Sequence, residues 1–454
     1  MTNLLQSLSG KLLKPAPNSG AMTFPELHHY ERRTESERAR LHLRIDADGS
    51  GMLLVNASRV VHLNPTAAFM ARLALEEASE AKAIQAVCQR YRVSRSQAMS
   101  DYAQISNQID ELARPDGACA LHDLDLEVIA PFSARPSAPY RLDLALTYRC
   151  NNDCAHCYNA RPRDFGEMDT ASWKAVIDRA WEAGIPHIVF TGGEPTLRDD
   201  LLELVAYAEN KGQITGINTN GRRLSDPQYV KRLVEAGLDH VQITLESHDP
   251  AIHDAMVCAR GAWKQTVVGV QNALASPIFV MTNTTMLRCN APSLSQTLKF
   301  LGELGVPTIG LNALIYAGRG ALVDSGLDES ELKPLLEQAR ASTQAYQQRL
   351  IWYTPTQYCN FDPMTLELGV KGCTAALYNM CVEPDGAVLP CQSYYQPLGN
   401  LLADPWETIW NHELAVSLRE RKLVPEKCHT CNLLAECGGG CPLYHQAYSE
   451  SRSL

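Results

Sequence analysis

Ten cysteines stand at spacings that suit metal chemistry, in two groups far apart in the chain. The first group is Cys150, Cys154 and Cys157, spaced C-x3-C-x2-C within the stretch 147–158. Three thiolates this close can bind three irons of one [4Fe–4S] cube, leaving the fourth iron open to a small molecule. The second group holds Cys373, Cys381, Gly386-x4-Cys391, and the run Cys428-x2-Cys431-x5-Cys437-x3-Cys441. Its last four thiols could close a tetrahedral zinc site by themselves, but that would strand Cys373, Cys381 and Cys391. Cys88, Cys119, Cys258 and Cys289 have no partner at ligand spacing, and a single cysteine is usually a small buried apolar residue.

Polar and glycine-rich turns come next. Gly192-Gly193-Glu194-Pro195 combines glycines, which allow close backbone approach, with a carboxylate able to hold an ammonium group. Asn218-Thr219-Asn220-Gly221 and Thr244-Leu245-Glu246-Ser247 are further polar stretches, with Asn283, Thr285 and Gly318-Arg319-Gly320 as weaker candidates. No catalytic acid or base is assigned; Glu246, His248, Tyr316 and Arg319 are candidates that could equally be structural.

These residues need a scaffold. The chain has 454 residues, 45% apolar and 20% charged, which is ordinary for a soluble globular protein of about three domains. No run approaches the ~18 apolar residues of a membrane span, and no basic segment precedes an apolar stretch at the N-terminus. A cytoplasmic location is expected, where cysteine clusters mean metal more often than disulfides. The formal net charge of −10 argues against a partner read through its phosphates.

From Tyr140 onward, strands and helices alternate. Leu142, Leu144 and Leu146 mark the first strand. Later strands are expected at 187–191, 214–218, 241–245, 278–284 and 308–311, with Gly184, Gly212, Gly237 and Gly305 ending helices. Six βα units imply a parallel sheet, curved as a partial (βα)6 TIM-like barrel with its chemistry at the C-terminal strand ends. The motifs above fall at those ends. Upstream, strands at 41–45, 52–55 and 60–63 and three helices from Pro65 to Leu112 form a winged-helix-like α+β unit, with Ser94 as an N-cap. From about Ile351 the alternation stops, leaving a cysteine-rich region organised by metal.

The C-x3-C-x2-C spacing after the first barrel strand resembles the radical S-adenosylmethionine (SAM) superfamily. The resemblance implies that the open iron binds the amino and carboxylate groups of SAM. It implies that His156 packs near the adenine, that Gly192, Gly193, Glu194 and Pro195 form the methionine-binding turn, and that Glu194 meets the SAM amino group. Asn218 matches a turn found in many relatives. Thr244 and Glu246 stand where many relatives have Ser and Asp facing the ribose, a departure from the pattern.

The later cysteines resemble the SPASM domain of radical SAM peptide maturases. That implies one auxiliary [4Fe–4S] cluster on Cys373, Cys381, Cys391 and Cys441, and a second on Cys428, Cys431 and Cys437. The family's further downstream cysteine is missing here, leaving an open iron or another ligand, with His445, Glu450 and Cys359 as candidates. The segment from Leu41 to Leu112 resembles the PqqD-like peptide-recognition domain. The implied organisation is a flexible leader (1–22), a PqqD-like domain (23–115), a linker (116–139), the radical SAM partial barrel (140–350) and the SPASM domain (351–454).

Together the three regions imply an oxidoreductase that matures a ribosomally made precursor peptide. It would use a 5′-deoxyadenosyl radical to form a C–C or thioether crosslink or to epimerise a residue. The leader peptide would add as a strand at the sheet edge near Arg59–Leu63. An external low-potential donor such as flavodoxin or ferredoxin would supply electrons. Alternatives are a sulfatase-type maturase making formylglycine from Cys or Ser, a radical SAM enzyme acting on a tetrapyrrole, and a non-catalytic zinc-stabilised peptide-binding scaffold.

Overall fold

The computed structural model describes residues 25–33, 38–57, 59–114 and 136–451. The expected leader over 1–22 lies outside them, as does all but 136–139 of the expected linker. The chain divides into two compact units, one built on the residues before Ala138 with Ala180–Pro186 and one on Ala138–Arg179 with His187–Leu454.

In the first unit, strands β1 (Glu26–Arg33), β2 (Arg38–Ile45), β3 (Gly51–Val55) and β4 (Arg59–Leu63) form an antiparallel sheet in that order. Three helices follow: α1 (Pro65–Leu75), α2 (Glu80–Arg90) and α3 (Arg95–Leu112). Alternate β2 residues Ala39, Leu41, Leu43 and Ile45 pack into one core with Leu53, Val55, Ile109 and Leu112. The hydroxyl of Ser94 caps α3 by accepting from Gln97 N at 3.2 Å. The sheet begins earlier than the expected strand at Leu41, with β1 and the start of β2 at Arg38. β1 reads Glu-Leu-His-His-Tyr-Glu-Arg-Arg, has no β-branched residue, and forms a sheet edge with mostly half-buried side chains.

The second unit is built on β5 (Arg141–Thr147), β6 (His187–Gly192), β7 (Ile214–Thr219), β8 (His240–Thr244), β9 (Phe279–Thr285), β10 (Thr308–Asn312) and β11 (Arg349–Trp352). These are parallel neighbours in chain order, an open βα-wound sheet of the expected class. The main helices between them are α4 (Thr170–Glu182), α5 (Leu201–Asn210), α6 (Pro227–Glu235), α7 (Pro250–Met256), α8 (Ala262–Leu274), α9 (Leu294–Glu303) and α10 (Glu329–Ala345). Gly184, Gly212, Gly237 and Gly305 have φ of 82°, 92°, 90° and 80°, the left-handed region that stops a helix.

Two features extend the expected sheet. β11 is a seventh parallel strand beyond the six anticipated. On the other side of β5, β12 (Asn379–Val382) pairs parallel to it and carries the antiparallel strands β13 (Ala387–Leu389) and β14 (Gly399–Asn400). The first part of the cysteine-rich region is thus continuous with the barrel sheet. β5 is consequently an interior strand: Leu142, Leu144 and Leu146 are fully buried, and so is Asp143 between them, ion-paired with Arg141 at 2.9 Å. The helix expected over Asp404–Leu418 is two short ones, Trp406–Trp410 and Glu413–Arg419, the second capped by the His412 ring accepting from Leu414 N at 3.2 Å.

Candidate active site

β5 ends at Thr147 and the chain turns into the first cysteine loop. Backbone bonds lock this loop onto the C-terminal edge of the sheet. Asp153 N donates to Val257 O at 2.9 Å and Ala155 N to Met256 O at 3.2 Å, both at the end of α7. Gly320 N donates to Cys157 O at 3.1 Å, and Arg319 pairs with Asp153 at 2.7 Å. The weaker candidates Gly318-Arg319-Gly320 therefore brace the loop. The three thiols lie within electrostatic reach of one another: burial raises Cys154 well above its usual range, with Cys157, Glu246 and Cys150 adding to the effect. Burial likewise pushes Cys150 up to about 11. Without metal, Cys150 and Cys154 hold protonated thiols, so binding iron there releases protons. The donor set suits a three-thiolate cluster.

The Gly-Gly-Glu turn is packed against this loop. Gly193 N donates to Thr147 O at 2.7 Å and Glu194 N to Arg149 O at 2.9 Å. A Cβ on Gly192 would fall 2.1 Å from Thr147 O, and one on Gly193 would fall 2.4 Å from Arg149 O. The sequence reading gave these glycines to ligand approach; here they first let β6 approach the backbone after β5. Glu194 is fully buried, and burial raises its carboxyl while hydrogen bonds oppose the rise. Its Oε1 accepts from Thr196 N (3.1 Å), Thr196 Oγ1 (2.6 Å) and Thr219 Oγ1 (2.7 Å). Its Oε2 accepts from Asn220 N at 2.8 Å, which leaves that oxygen acceptor capacity for a ligand amine. Pro195 opens the short turn Pro195–Leu197.

On β7 the residue brought to Glu194 is Thr219, with the Asn220 amide, and not Asn218. Side chains alternate along a strand, so Asn218 faces the other way. Asn220 Nδ2 also donates to Asn151 Oδ1 at 2.6 Å, tying the turn to the cysteine loop. Beyond the end of β8, Glu246 is 1% exposed. His156 Nε2 lies 3.0 Å from its Oε1, and Thr285 N donates to its Oε2 at 2.8 Å. Glu246 thus anchors the loop to β9, a placement the ribose expectation did not foresee. Thr244, at the end of β8, is half-buried. His248 is held by Thr297 Oγ1 at 3.2 Å, and the Tyr316 ring meets that of Tyr444 at 5.4 Å.

A cavity of about 600 Å³ opens beside the loop, bounded by Ala155 and His156, by Ile252 and Met256 of α7, and by Leu287 and Val323. This is the size of a small-ligand site. His156 Nδ1 is buried with no hydrogen-bond partner, a donor or acceptor left for a ligand.

The later cysteines fall into two neighbourhoods. Burial pushes Cys391 up to about 12 with Cys373 and Cys441 contributing, and pushes Cys441 up to about 12 with Cys373 contributing. Cys381, on β12, is 1% exposed, packs with Ala145, Tyr148 and Leu389, and has Cys391 as a neighbour. Cys428 is raised by burial and by Cys437, Cys359 and Cys431. Cys441 therefore sits with Cys373 and Cys391, which argues against a site closed by the Cys428–Cys441 run alone. Among the described residues, no three His, Cys, Asp or Glu side chains converge as on a single metal ion. Among them, too, no helix is long and apolar enough to cross a membrane.

Residues 144–312 match the radical SAM superfamily, 373–432 the SPASM iron–sulfur cluster-binding domain, and 51–112 coenzyme PQQ synthesis protein D (PqqD). The chain is 31% identical over 326 residues to the Fe-coproporphyrin III synthase of Methanosarcina barkeri, a match covering 65% of this chain and 81% of that protein. It is 28% identical over 318 residues to the AdoMet-dependent heme synthase of Nitratidesulfovibrio vulgaris, covering 65% and 85%. In fold it is similar to Streptococcus suis SuiB bound to S-adenosylmethionine, with TM-score 0.65, 16% identity and coverage of 90% and 95%. It is also similar to anSMEcpe with bound AdoMet, with TM-score 0.55, 18% identity and coverage of 69% and 95%. The chain therefore belongs to the radical SAM superfamily, as an enzyme that uses SAM with a [4Fe–4S] cluster and carries a SPASM domain for auxiliary iron–sulfur clusters.

Proposed function

We propose that this enzyme modifies a ribosomally made precursor peptide, forming a crosslink or epimerising a residue. The observation that carries the reading is the PqqD-matching unit, whose β4 is an edge of its sheet. A leader peptide adds there as a further antiparallel strand along Arg59–Leu63, with main-chain bonds giving affinity and side-chain pockets giving selection. SuiB, which shares the fold over 92% of this chain, has also been solved bound to its precursor peptide SuiA.

In this reading Cys150, Cys154 and Cys157 hold the radical cluster, Glu194 Oε2 takes the SAM amino group, and His156 borders the adenine. When bound, cluster and SAM supply a 5′-deoxyadenosyl radical that abstracts hydrogen from the substrate. Glu246 fixes the His156 ring, Thr219 and Asn220 orient the Glu194 carboxylate, and the locked loop holds the thiols at one strand end. Cys373, Cys381, Cys391 and Cys441 hold one auxiliary cluster, and Cys428, Cys431 and Cys437 belong to the second. Electrons come from a flavodoxin- or ferredoxin-type donor.

The first test is anaerobic iron and sulfide analysis with a SAM-cleavage assay, on the wild type and the Cys150/Cys154/Cys157→Ala variant. Three clusters require roughly 12 irons, and the variant should lose about four of them with all 5′-deoxyadenosine formation. Zinc in place of iron, with SAM left intact, overturns the reading. The substrate is tested by removing residues 1–115: turnover of a full-length precursor should collapse. A tetrapyrrole substrate is the second reading, favoured by the names of the two curated relatives. It predicts no affinity for a precursor peptide and a shifted porphyrin absorption band on mixing with the enzyme.

A further inference from the structure

The SPASM motif leaves one auxiliary cluster a ligand short. Cys441 lies with Cys373 and Cys391, so Cys428, Cys431 and Cys437 have three thiols among them. A four-iron cluster closed by protein takes four.

The structure brings a fourth from upstream. Residues Thr356–Asn360 run against the turn that carries Cys437. Tyr358 N donates to Cys437 Sγ at 3.3 Å, the Cys437 thiol lies 3.6 Å from Thr356 O, and Gln357 Nε2 donates to Gly439 O at 3.4 Å. Cys359 follows Tyr358 directly, and it is one of the three thiols acting on Cys428. Glu329, at the start of α10, shapes this segment: its carboxylate accepts from Gln357 N at 3.3 Å and from Asn360 Nδ2 at 2.6 Å. The Tyr358 hydroxyl accepts from Lys371 N at 3.1 Å, pinning the other side.

His445 Nε2 lies 2.6 Å from Gly439 O, so that nitrogen carries the hydrogen and only Nδ1 is left to bind metal; His445 is not among the groups acting on Cys428, as Cys359 is. The Glu450 side chain lies outside the described residues. We propose that Cys359, upstream of the SPASM motif, is the fourth protein ligand of the cluster held by Cys428, Cys431 and Cys437. This rests on the reading that those three cysteines bind a cluster. A cluster with four protein thiolates has no open iron, so the substrate does not coordinate it and it serves electron transfer alone.

The test is differential alkylation of the anaerobically reconstituted holoenzyme with iodoacetamide, followed by peptide mass spectrometry. Cys258, exposed and unassigned, is the control, since Cys359 is exposed as well. Cys359 and Cys428 should both be protected in the holoenzyme and labelled after iron removal, while Cys258 labels in both states. Protection of Cys428 with Cys359 labelled as fast as Cys258 overturns the proposal and leaves the cluster reading standing. Labelling of Cys428 in the holoenzyme removes the cluster itself, and the proposal with it. Independently, Cys359→Ser should change the electron paramagnetic resonance signal of one reduced auxiliary cluster and leave that of the radical cluster as it is. A spectrum superimposable on the wild type's refutes the assignment.

Discussion

The Nε2 of His156 and the Oε1 of Glu246 lie 3.0 Å apart, joining the cysteine loop to the turn that leaves β8. Both side chains are largely withdrawn from solvent, at 10% and 1% exposure. Glu246 also takes the Thr285 amide on its carboxylate, and Asn290 Nδ2 donates to the Glu246 carbonyl at 2.8 Å. One residue therefore sets the loop, the end of β9 and the turn after it in register.

Glu246→Ala should lower the rate of SAM cleavage by about 10–100-fold, the usual cost of removing a group that orients a metal-site residue. Iron content should stay within one cluster's worth of the wild type. Glu246→Gln keeps an acceptor for the ring and should fall between the two. Equal rates in all three proteins would mean that the contact does not orient His156.

Gly193→Ala should destabilise the barrel by about 3 kcal/mol, because the new Cβ meets backbone oxygens of Arg149 and Tyr148 at 2.4 and 2.6 Å. The radical cluster should be lost first, since those carbonyls belong to its loop. Gly261→Ala is the comparison: φ there is +78°, but nothing lies within 4 Å. It should cost about 1 kcal/mol, the penalty of left-handed backbone alone. Urea unfolding with iron analysis measures both.

Glu383, 1% exposed beside β12, accepts from Arg161 Nε and Nη2 at 2.7 Å each and from the Tyr148 hydroxyl at 3.0 Å. Arg161→Leu leaves that carboxylate buried with a neutral partner only. Discounted for the partial exposure of Arg161, the cost should be about 2 kcal/mol. A double-mutant cycle with Glu383→Leu should recover most of it, and additive losses would show that the pair is not coupled.

His240, half-buried at the start of β8, has its Nε2 2.8 Å from that of His187. A Cβ on Gly216 would overlap its ring, so the glycine makes the space. Burial and then Arg141 lower His240 to about 4 from an ordinary 6.5. The unfolded chain binds this proton below pH ~6.5 and the folded one does not, so stability falls as pH drops through that window toward 4. Between pH 7.5 and 5.5 the loss should be about 1.4 kcal/mol. In His240→Gln that share of the pH slope should vanish; an unchanged slope would place the titration elsewhere.

Chemistry carried by local spacing was readable before the fold was known. A cube of iron accepts thiolates a few residues apart, so Cys150, Cys154 and Cys157 declare themselves, and the βα rhythm announces strands rich in Leu, Ile and Val. Contacts that depend on two strand ends meeting were not readable. The contact of Thr219 with Glu194, 25 residues apart, has no such local signal. The glycines before Glu194 look the same whether they admit a ligand or the β5 backbone. β1 escaped because an edge strand needs little apolar patterning, and β11 because Arg349–Trp352 is only four residues long. Cys359 has no spacing signal, since only the placement of α10 and the Cys437 turn brings it near Cys428.

The pairing of β12 with β5 has a consequence for dissecting this enzyme. With β12 in place, β5 has neighbours on both sides; cut away, it would expose four residues' worth of pairing, Arg141 to Leu144, along a buried apolar strand. Such a bare rim is a template for aggregation. The barrel and the cysteine-rich region are thus not modules that recombination could exchange at the boundary near residue 351. A transplantable catalytic cassette would have to carry the chain at least through β14, and chimeras spliced earlier should be recovered as insoluble protein.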